Sequence, residues 1–431
     1  MFSSQHPTRL PSNIMSQDKR QYEAIVFGAT GYTGKYTAEH IASHLPTDFK
    51  WAIAGRTESK LKAVADELRP VSPDRVQPGI ELAQLNKDDL VKLARKTKVL
   101  ISTVGPYHKY GTAAFEACAE TGTHYLDCTG EIPWVYEMTK KYDALAKSTG
   151  AIMIPQNGVE SAPTDLICWM LVTHIRRTLN TGTAELIDII HDLNSAPSGG
   201  TLDTVLSLFE TYSLSQVAKA MSPFSLCTVT PPKQNRSKPL LEALTGIRTD
   251  DVLGTLTTSI QGPTDAPIIN RTYGLIDGGK FYGPNFQLST YMRVSNKVNG
   301  FLVHLALTFG LAALILPPVR WAARKFVLQP GQGTPREQAS KEHCEWRAIA
   351  NADQSDDSED PKRAYGRVRW NGSMYDLTGT FLAEAAYCLS RESKTLAHEI
   401  GGGVLTPATL GASYLSRLQK AGLETSVSIL P

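Results

Sequence analysis

The chain has 431 residues, enough for two domains, and its 42% hydrophobic and 20% charged content is typical of a globular protein with a sizeable core. With 44 Lys and Arg residues against 42 Asp and Glu, the net charge of +2 argues against nucleic-acid binding, which needs a concentrated basic face. The six scattered cysteines form no Cys-x-x-Cys pair, which argues against a structural zinc site or a disulfide framework and favours a reducing, intracellular compartment. Residues 1–21 are polar without a signal-peptide-like apolar run, and we predict a disordered leader there.

A glycine turn follows the first apolar run. Residues 22–34 read YEAIVFGATGYTG, in which four apolar residues precede three glycines spaced three apart, and a helical pattern comes next. A strand, a glycine turn and a helix in this order place backbone N–H groups and a helix N-terminus against a pyrophosphate. We therefore predict that the turn binds a dinucleotide through Gly28, Thr30, Gly31, Tyr32, Thr33 and Gly34.

The end of the second apolar run indicates which dinucleotide. An NAD site usually carries Asp or Glu about 20 residues after the glycine turn, to hold the ribose 2′-hydroxyl. Here Arg56 follows the run 51–54, and a guanidinium pairs with a 2′-phosphate that a carboxylate would repel. We predict NADP(H) as the cofactor; the alternative is that Arg56 is a solvated residue before the next helix.

The strand and helix alternation continues beyond this point. Further strands are predicted at 80–85, 99–104, 125–127 and 151–154, with helices between them and Asp88 as the cap of one helix. Six strands separated by helices predict an α/β fold: a Rossmann-type doubly wound parallel sheet over residues 22–154, the NADP-binding domain. The ligand crevice of such a sheet lies at the carboxyl ends of its strands.

The pattern changes from about residue 155. We predict an inserted α+β second domain for substrate binding and oligomerisation over 155–384, with a strand at 184–193 and a helix capped by Thr201 after the turn 198–201. Glycines and aromatic residues at 274–283 favour an antiparallel sheet there. Residues 385–431 are predicted to return to the Rossmann domain, and the acidic, unpatterned stretch within 351–363 to form a mobile loop.

An apolar segment within the second domain has three interpretations. Residues 301–316 read FLVHLALTFGLAALIL and are followed by two prolines and a basic, aromatic stretch. Sixteen residues are fewer than the roughly 20 that a membrane-spanning helix needs. A buried core helix, an oligomer contact and a peripheral anchor on a membrane or lipid droplet all stay open, and we favour the anchor.

Taken together, these motifs resemble those of the saccharopine dehydrogenase-like oxidoreductases. The matching segments extend over nearly the whole chain: GATGYTG at 28–34, AGR at 54–56, TVGPYHKYG at 103–111, YLDCTGE at 125–131, SGGT at 198–201 and GGVLTPATLG at 402–411. The family is similar to the enzyme that makes saccharopine, and it also contains trans-acting enoyl reductases and members found on lipid droplets. A saccharopine enzyme needs cationic residues for its dicarboxylic substrate, and the arginines of the second domain show no spacing that identifies such a clamp.

The resemblance implies an NADPH-dependent oxidoreductase that reduces an activated C=C bond or an imine of a lipid, polyketide or other specialised metabolite. The substrate would be a small or carrier-bound apolar molecule. A saccharopine-type amino-acid dehydrogenase, a catalytically weak nucleotide-binding scaffold at a lipid surface, and a homodimeric assembly stay open as alternatives.

The Gly-Pro-Tyr turn of this family resembles a wall of the nicotinamide pocket. By this resemblance Thr103, Gly105 and Pro106 are cofactor contacts. Tyr107 is our predicted catalytic residue, as the proton donor to an enolate or alkoxide, with packing against the cofactor ring as its alternative. We interpret His108 as a solvated loop residue. Asp127 and Glu131 are expected to order a water or the ribose, or to serve in structural hydrogen bonds, and no cluster with metal-ligand spacing is present in the sequence.

Overall fold

Two sheets organise the chain in the computed structural model, which describes residues 17–196, 199–231, 239–314, 316–324, 333–354 and 361–431. Over these residues the first sheet has seven strands in the order β13-β6-β5-β4-β1-β2-β3, and every pair in it is parallel. Its strands are β1 Tyr22–Phe27, β2 Trp51–Gly55, β3 Gly79–Leu82, β4 Thr97–Ser102, β5 His124–Asp127, β6 Ile152–Ile154 and β13 Gly403–Val404. This arrangement confirms the predicted Rossmann-type sheet.

Helices connect and cover these parallel strands. They are α1 Tyr32–His44, α2 Glu58–Leu68, α3 Lys87–Arg95, α4 Tyr107–Tyr110, α5 Thr112–Thr121 and α6 Ile132–Thr149. The central strands are apolar because helices cover the sheet: in β1, Ala24 to Phe27 are all buried. The predicted cap Asp88 is wrong, since Asn86 caps α3 by accepting a 2.9 Å hydrogen bond from Asp89 N.

The second sheet is mixed and carries its helices in long insertions. Within the described ranges it has the order β14-β12-β11-β7-β10-β9-β8, with β10 parallel to β7 and the other pairs antiparallel. Its strands are β7 Thr183–Asn194, β8 Arg248–Asp250, β9 Gly254–Thr258, β10 Gln287–Arg293, β11 His343–Ala352, β12 Arg363–Asn371 and β14 Glu424–Ile429. The remaining helices are α7 Ala162–Leu179, α8 Gly199–Thr211, α9 Leu214–Ala220, α10 Leu240–Thr245, α11 Gly262–Leu275, α12 Lys297–Ala313, α13 Pro317–Arg324, α14 Arg336–Ala339, α15 Met374–Arg391, α16 Leu396–Ile400 and α17 Gly411–Lys420.

The long helix α15 joins the two sheets. It follows β12 of the second sheet after two residues, and it packs along α1 and against β1 and β4 of the first sheet. Gly379 allows this close approach, because a Cβ there would lie 2.7 Å from the backbone carbon of Tyr36. Consequently α15 reaches the carboxyl ends of the parallel strands, where the predicted crevice lies.

The C-terminal residues contribute to both sheets. β13 extends the first sheet, with Gly403 opposite Ile152, whereas β14 pairs with β12 of the second, with Val427 opposite Gly366. The predicted return to the Rossmann domain therefore describes only part of the segment 385–431. Moreover, α15 begins packing on that domain before residue 384.

The end of the predicted leader is ordered. Residues 1–16 lie outside the described part of the chain, but Gln17–Lys19 is a 3-10 turn and Arg20 is buried. The Arg20 guanidinium donates to Ala94 O at 2.8 Å and to Thr97 O at 2.6 Å. These hydrogen bonds to carbonyl groups near the end of α3 fix the Arg20 side chain in the folded protein. The prediction of a disordered leader is therefore wrong for residues 17–21.

Two predictions in the second domain are wrong. Residues 274–283 form the end of α11 and a turn, with φ of +58° at Gly278 and +87° at Gly279, and the nearby aromatic rings of Tyr273 and Tyr282 pack on Phe286. The glycines there allow a tight turn and do not mark a strand. Thr201 lies inside α8, which begins at Gly199, and Ser198 is outside the described residues.

The apolar segment 301–316 is a surface helix. Most of it lies in α12, where the exposed fraction is 57% for Leu302 and 66% for Phe309, so the buried-core interpretation is wrong. No helix in the described ranges combines the length and the apolar character needed to cross a membrane. Of the predicted mobile loop, residues 355–360 lie outside the described part.

Candidate active site

A cleft of about 550 Å³ lies at the carboxyl ends of β1, β2, β4 and β5. One wall comes from the first sheet and its turns, and the other from residues after β6, from α8, from the start of α11 and from α15. The lining residues on the first wall are Phe27, Gly28, Thr30, Gly31, Tyr32, Thr33, Gly55, Arg56, Leu85, Thr103, Val104, Gly105, Tyr107, Cys128, Thr129, Gly130 and Glu131. Those on the second wall are Val159, Glu160, Thr204, Gln261, Met374, Tyr375 and Thr378.

The glycine turn has the shape of a phosphate cradle. Gly28 has a φ of +93°, and a Cβ there would lie 2.7 Å from Val104 Cγ2. A Cβ at Gly34 would overlap Gly28 O, so this glycine lets α1 begin directly on the turn. Because α1 starts at Tyr32 with Gly31 as its cap, its positive end and free N–H groups face the cleft. These features fit a dinucleotide pyrophosphate.

Most of the predicted cofactor residues line this wall. Gly28, Thr30, Gly31, Tyr32, Thr33, Thr103 and Gly105 line the cleft, as does the exposed Arg56 at the end of β2. Gly34 and Pro106 do not line it. Thr103 Oγ1 donates to Phe27 O at 3.1 Å and so joins the ends of β1 and β4.

Tyr107 lines the cleft, but its hydroxyl group is already engaged. It donates to Ser102 O at 3.0 Å and lies 3.4 Å from Cys128 Sγ. Burial, with the thiol of Cys128 beside it, raises the pKa of Tyr107 well above its usual value of 10. The phenol proton is therefore directed at a backbone carbonyl at the end of β4.

His108 is buried and paired, so its interpretation as a solvated residue is wrong. His108 Nδ1 lies 2.5 Å from Glu131 Oε2, and neither side chain is exposed beyond 1%. Glu131 also accepts from Tyr107 N at 2.7 Å and from His108 N at 2.8 Å. Both carboxylate oxygens are thus occupied in fixing the Gly-Pro-Tyr turn, which supports the structural role for Glu131.

Asp127 also serves the local backbone. Its Oδ1 accepts from Thr129 N at 2.9 Å and from Gln156 N at 3.0 Å, which ties the end of β5 to the loop after β6. Burial raises its pKa to about 7, although these hydrogen bonds act in the opposite direction. Asp127 lies beneath the cleft and not in its lining.

The residues of the second wall were not predicted from the sequence as site residues. Tyr375 contacts Tyr32 of the glycine turn edge to face, with 4.8 Å between ring centroids, so α15 closes directly over the cradle. Glu160 follows the end of β6, and a carboxylate after a parallel strand was the one signal that could have identified this wall. Met374, Tyr375 and Thr378 carry no such signal, because they come from a helix more than 200 residues away. No group of three His, Cys, Asp or Glu in the described ranges is arranged to hold a metal ion.

Comparisons with known proteins agree with this geometry. Residues 24–154 match the saccharopine dehydrogenase NADP-binding domain. The chain is 29% identical over 439 residues to a trans-acting enoyl reductase of Mycobacterium ulcerans, covering 96% of this chain and 100% of that protein. It is also 29% identical to the trans-acting enoyl reductase of Mycobacterium tuberculosis, with coverages of 95% and 98%.

A solved structure shares the fold of the whole chain. Saccharopine dehydrogenase (L-Glu forming) from Saccharomyces cerevisiae superposes with a TM-score of 0.55 at 10% identity, covering 95% of this chain and 99% of that one. At this identity the likeness concerns the fold. The chain is therefore similar over nearly its whole length to saccharopine dehydrogenase-like oxidoreductases, and its matching NADP-binding domain, with the glycine cradle, makes it an NADP-dependent oxidoreductase.

Proposed function

We propose that the protein is an NADPH-dependent reductase of an activated C=C bond in an apolar, enoyl-type substrate. The observation that carries this proposal is the charge of the cleft. Among its lining residues in the described part of the chain, Arg56 is the one cation, and it lies at the cofactor end. A dicarboxylic amino-acid substrate would need cationic partners near the nicotinamide, whereas an enoyl chain would not.

Two arginines of the second domain are engaged away from the cleft. Arg271 is buried, where it donates to Val404 O and Leu226 O and pairs with Asp143 at 2.9 Å. Arg248 pairs with Glu185 at 3.0 Å. Neither lines the cleft, so a saccharopine-type reaction is the weaker alternative.

The side chains on the second wall suit an apolar substrate. Val159, Met374 and Tyr375 face the glycine cradle across the cleft, and their apolar surface favours an uncharged acyl or enone group. The relatives bearing the name trans-acting enoyl reductase support the same substrate class. A carrier-bound thioester is the form that we propose for it.

The residues of the chain would position the reactants. The glycine turn, Arg56 and the Thr103–Gly105 segment would hold NADPH, and the chemistry supplied by the bound cofactor would be a hydride. Closure by α15 would exclude water from the reacting atoms. The β-carbon of the substrate would then receive the hydride, and its α-carbon would need a proton.

A substrate panel tests this function. NADPH oxidation by the purified full chain is measured with short and long enoyl thioesters, enones, and 2-oxo acids mixed with amino acids. We expect turnover with enoyl thioesters or enones. Turnover only with 2-oxo acid and amino acid mixtures would favour the saccharopine-type alternative, and no turnover with any compound would favour the scaffold.

We also propose that the protein contacts a membrane or lipid-droplet surface through α10 and α12. These helices are neighbours, since a Cβ at Gly246 after α10 would lie 2.5 Å from the His304 ring of α12. Both helices expose large apolar side chains. The exposed fractions are 75% for Leu240, 72% for Leu241, 64% for Leu244, 69% for Val298, 57% for Leu302 and 66% for Phe309. Trp321, on the following helix α13, is 64% exposed.

A lipid interface suits an exposed apolar surface of this kind with an exposed aromatic side chain nearby. Flotation of the full chain with phospholipid vesicles, compared with the Leu302→Glu/Phe309→Glu variant, tests the proposal. We expect the wild type to float and the variant to remain in the dense fraction while keeping its NADPH affinity. A wild type that does not float but forms a dimer lost in the variant would assign this surface to a second copy.

A further inference from the structure

Among the described residues that line the first wall, no acidic side chain is free to supply the proton required after hydride transfer. The Tyr107 hydroxyl donates to Ser102 O, and both oxygens of Glu131 accept N–H groups. Burial raises the pKa of the Cys128 thiol to about 12, which makes it a poor acid at neutral pH. The donor must therefore be sought on the second wall.

Glu160 is the carboxyl group on that wall. Its side chain lies over Gly130 in the loop after β5: a Cβ at position 130 would meet Glu160 Cγ at 3.0 Å, Cδ at 3.1 Å and Oε1 at 3.2 Å. The absent side chain of Gly130 thus makes room for the carboxyl group at the cleft surface. Gln261, which precedes α11, hydrogen-bonds to it from the second domain.

The surroundings of Glu160 favour its neutral form. Burial raises its pKa above the usual value, and Gln261 offsets this only in part. The titratable groups that face it are acidic: Cys128 beyond β5 and Asp265 on α11. No cation of the described residues pairs with it, so a proton is retained at a pH where an exposed carboxyl group would have lost it.

A buried hydrogen-bonded group lies behind Glu160. The next residue, Ser161, donates to Asp265 Oδ1 at 3.1 Å, and Gln156 Nε2 donates to Ser161 Oγ at 3.2 Å. Burial, together with the charges of Asp188 and Glu160, raises the pKa of Asp265 well above its usual value. The two carboxyl groups therefore do not readily carry negative charge at the same time, so the pair retains at least one proton beside the cleft.

We propose that Glu160 is the catalytic proton donor to the α-carbon of the reduced substrate. This inference rests on the proposed enoyl reductase function. The β-carbon gains the hydride, the C=C electron pair moves into an enolate, and the O–H bond of Glu160 breaks as the new C–H bond forms at the α-carbon. The substrate is reduced by two electrons, the nicotinamide is oxidised, and the Glu160 carboxylate regains its proton from solvent.

The Glu160→Gln variant tests the role, because glutamine keeps the size and the contact with Gln261 but cannot donate an acidic proton. With the substrate that the wild type turns over best, we expect kcat to fall by about 10²-fold or more, within the range typical of general acid catalysis. The NADPH Kd should stay within about twofold. The Glu160→Asp variant should recover part of the activity, and Glu399→Gln, an exposed glutamate on α16, serves as the matched control with unchanged kcat.

The pH dependence of kcat distinguishes a catalytic role of Glu160 from a structural one. In the wild type, kcat should fall as the pH rises through the pKa of the acid, and this limb should be absent from the residual activity of Glu160→Gln. Full activity of Glu160→Gln, or a loss in Tyr107→Phe alone, would overturn the assignment and return the role to Tyr107. If the wild type reduces no enoyl compound, the proposed function itself fails, and that outcome is recognised before any variant is compared.

Discussion

His40 Nε2 on α1 lies 2.9 Å from Glu384 Oε1 on α15, and both side chains are almost completely buried. The second oxygen of Glu384 accepts from Arg417 Nε of α17 at 2.6 Å. One carboxylate therefore joins the helix that begins at the glycine cradle to the helix that closes the cleft and to the C-terminal helix. This contact thus joins α1, whose first residues line one wall of the cleft, to α15, which contributes to the other.

Removal of the Glu384 carboxylate should destabilise the protein. In Glu384→Ala, Arg417 and His40 lose their common partner, and breaking a buried pair in this way costs about 3–5 kcal/mol. Urea unfolding should show a loss of this size, whereas Glu399→Ala, on the exposed side of α16, should stay within about 0.5 kcal/mol of wild type. Equal stability of the two variants would show that the buried contact contributes nothing.

A methyl group at position 34 should block the cofactor cradle. The added Cβ of Gly34→Ala would overlap Gly28 O, so the turn must open and the N–H groups at the start of α1 must move. We expect a loss of NADPH affinity of roughly tenfold or more, which corresponds to about 1.4 kcal/mol. NADPH fluorescence titration measures it. Gly310→Ala on α12, where a Cβ would meet no atom within 4 Å, is the control and should bind NADPH as the wild type does.

Arg56 should discriminate between the two nicotinamide cofactors. A charge-assisted hydrogen bond to the 2′-phosphate is worth about 1.5–3 kcal/mol, so Arg56→Ala should weaken NADPH binding by roughly 10- to 100-fold. NADH lacks this phosphate, and its affinity should hardly change. The exposed Arg69 at the end of α2 provides the control Arg69→Ala. An equal loss for NADPH and NADH would contradict the role of Arg56.

Asp188 on β7 should make the folded state sensitive to alkaline pH. Burial raises its pKa to about 8, and its Oδ1 has no hydrogen-bond partner in the described residues. The folded state holds this proton more tightly than the unfolded state. The contribution of Asp188 to the free energy of unfolding is therefore greatest below about pH 4 and is lost as the pH rises toward 8. Asp188→Asn, which resembles the protonated form, should be more stable than wild type at pH 8 and similar at pH 4.

Urea unfolding at the two pH values measures the difference, with Asp66→Asn on the exposed face of α2 as the control. If Asp188→Asn gains no more stability at pH 8 than at pH 4, the folded protein does not hold the Asp188 proton more tightly than the unfolded chain, which would contradict the raised pKa.

The first wall of the cleft was predictable because its signals are local. The run of Ala24 to Phe27, the glycines after it and Arg56 lie within some 35 residues, and short apolar strands of this kind have few alternatives in a sheet covered by helices. The second wall was not predictable, because its residues come from segments that only tertiary packing brings together. His40 and Glu384 are 344 residues apart in the chain, and nothing in either sequence segment indicates the other.

Predictions from local composition were also wrong at positions where tertiary packing determines the structure. The glycines and aromatic residues of 274–283 suggested strands, but they form a turn whose rings fill the core. His108 looked like a loop residue because its partner Glu131 lies beyond a helix and a strand. The exposure of α12 could not be read from its apolar sequence, since a buried helix has the same composition.

The most direct test of the proposed C=C reduction traces which carbon atom receives the hydride of NADPH. NADPH deuterated at C4 of the nicotinamide, prepared in each of its two stereoisomers, is incubated with the full chain and an enoyl thioester, and the product is examined by mass spectrometry and NMR. We predict that one of the two isomers transfers deuterium to the β-carbon of a saturated product, with a solvent proton at the α-carbon. Deuterium found instead on the amine-bearing carbon of a product formed from a 2-oxo acid and an amino acid, with none in any acyl chain, would contradict the proposed reduction of a C=C bond.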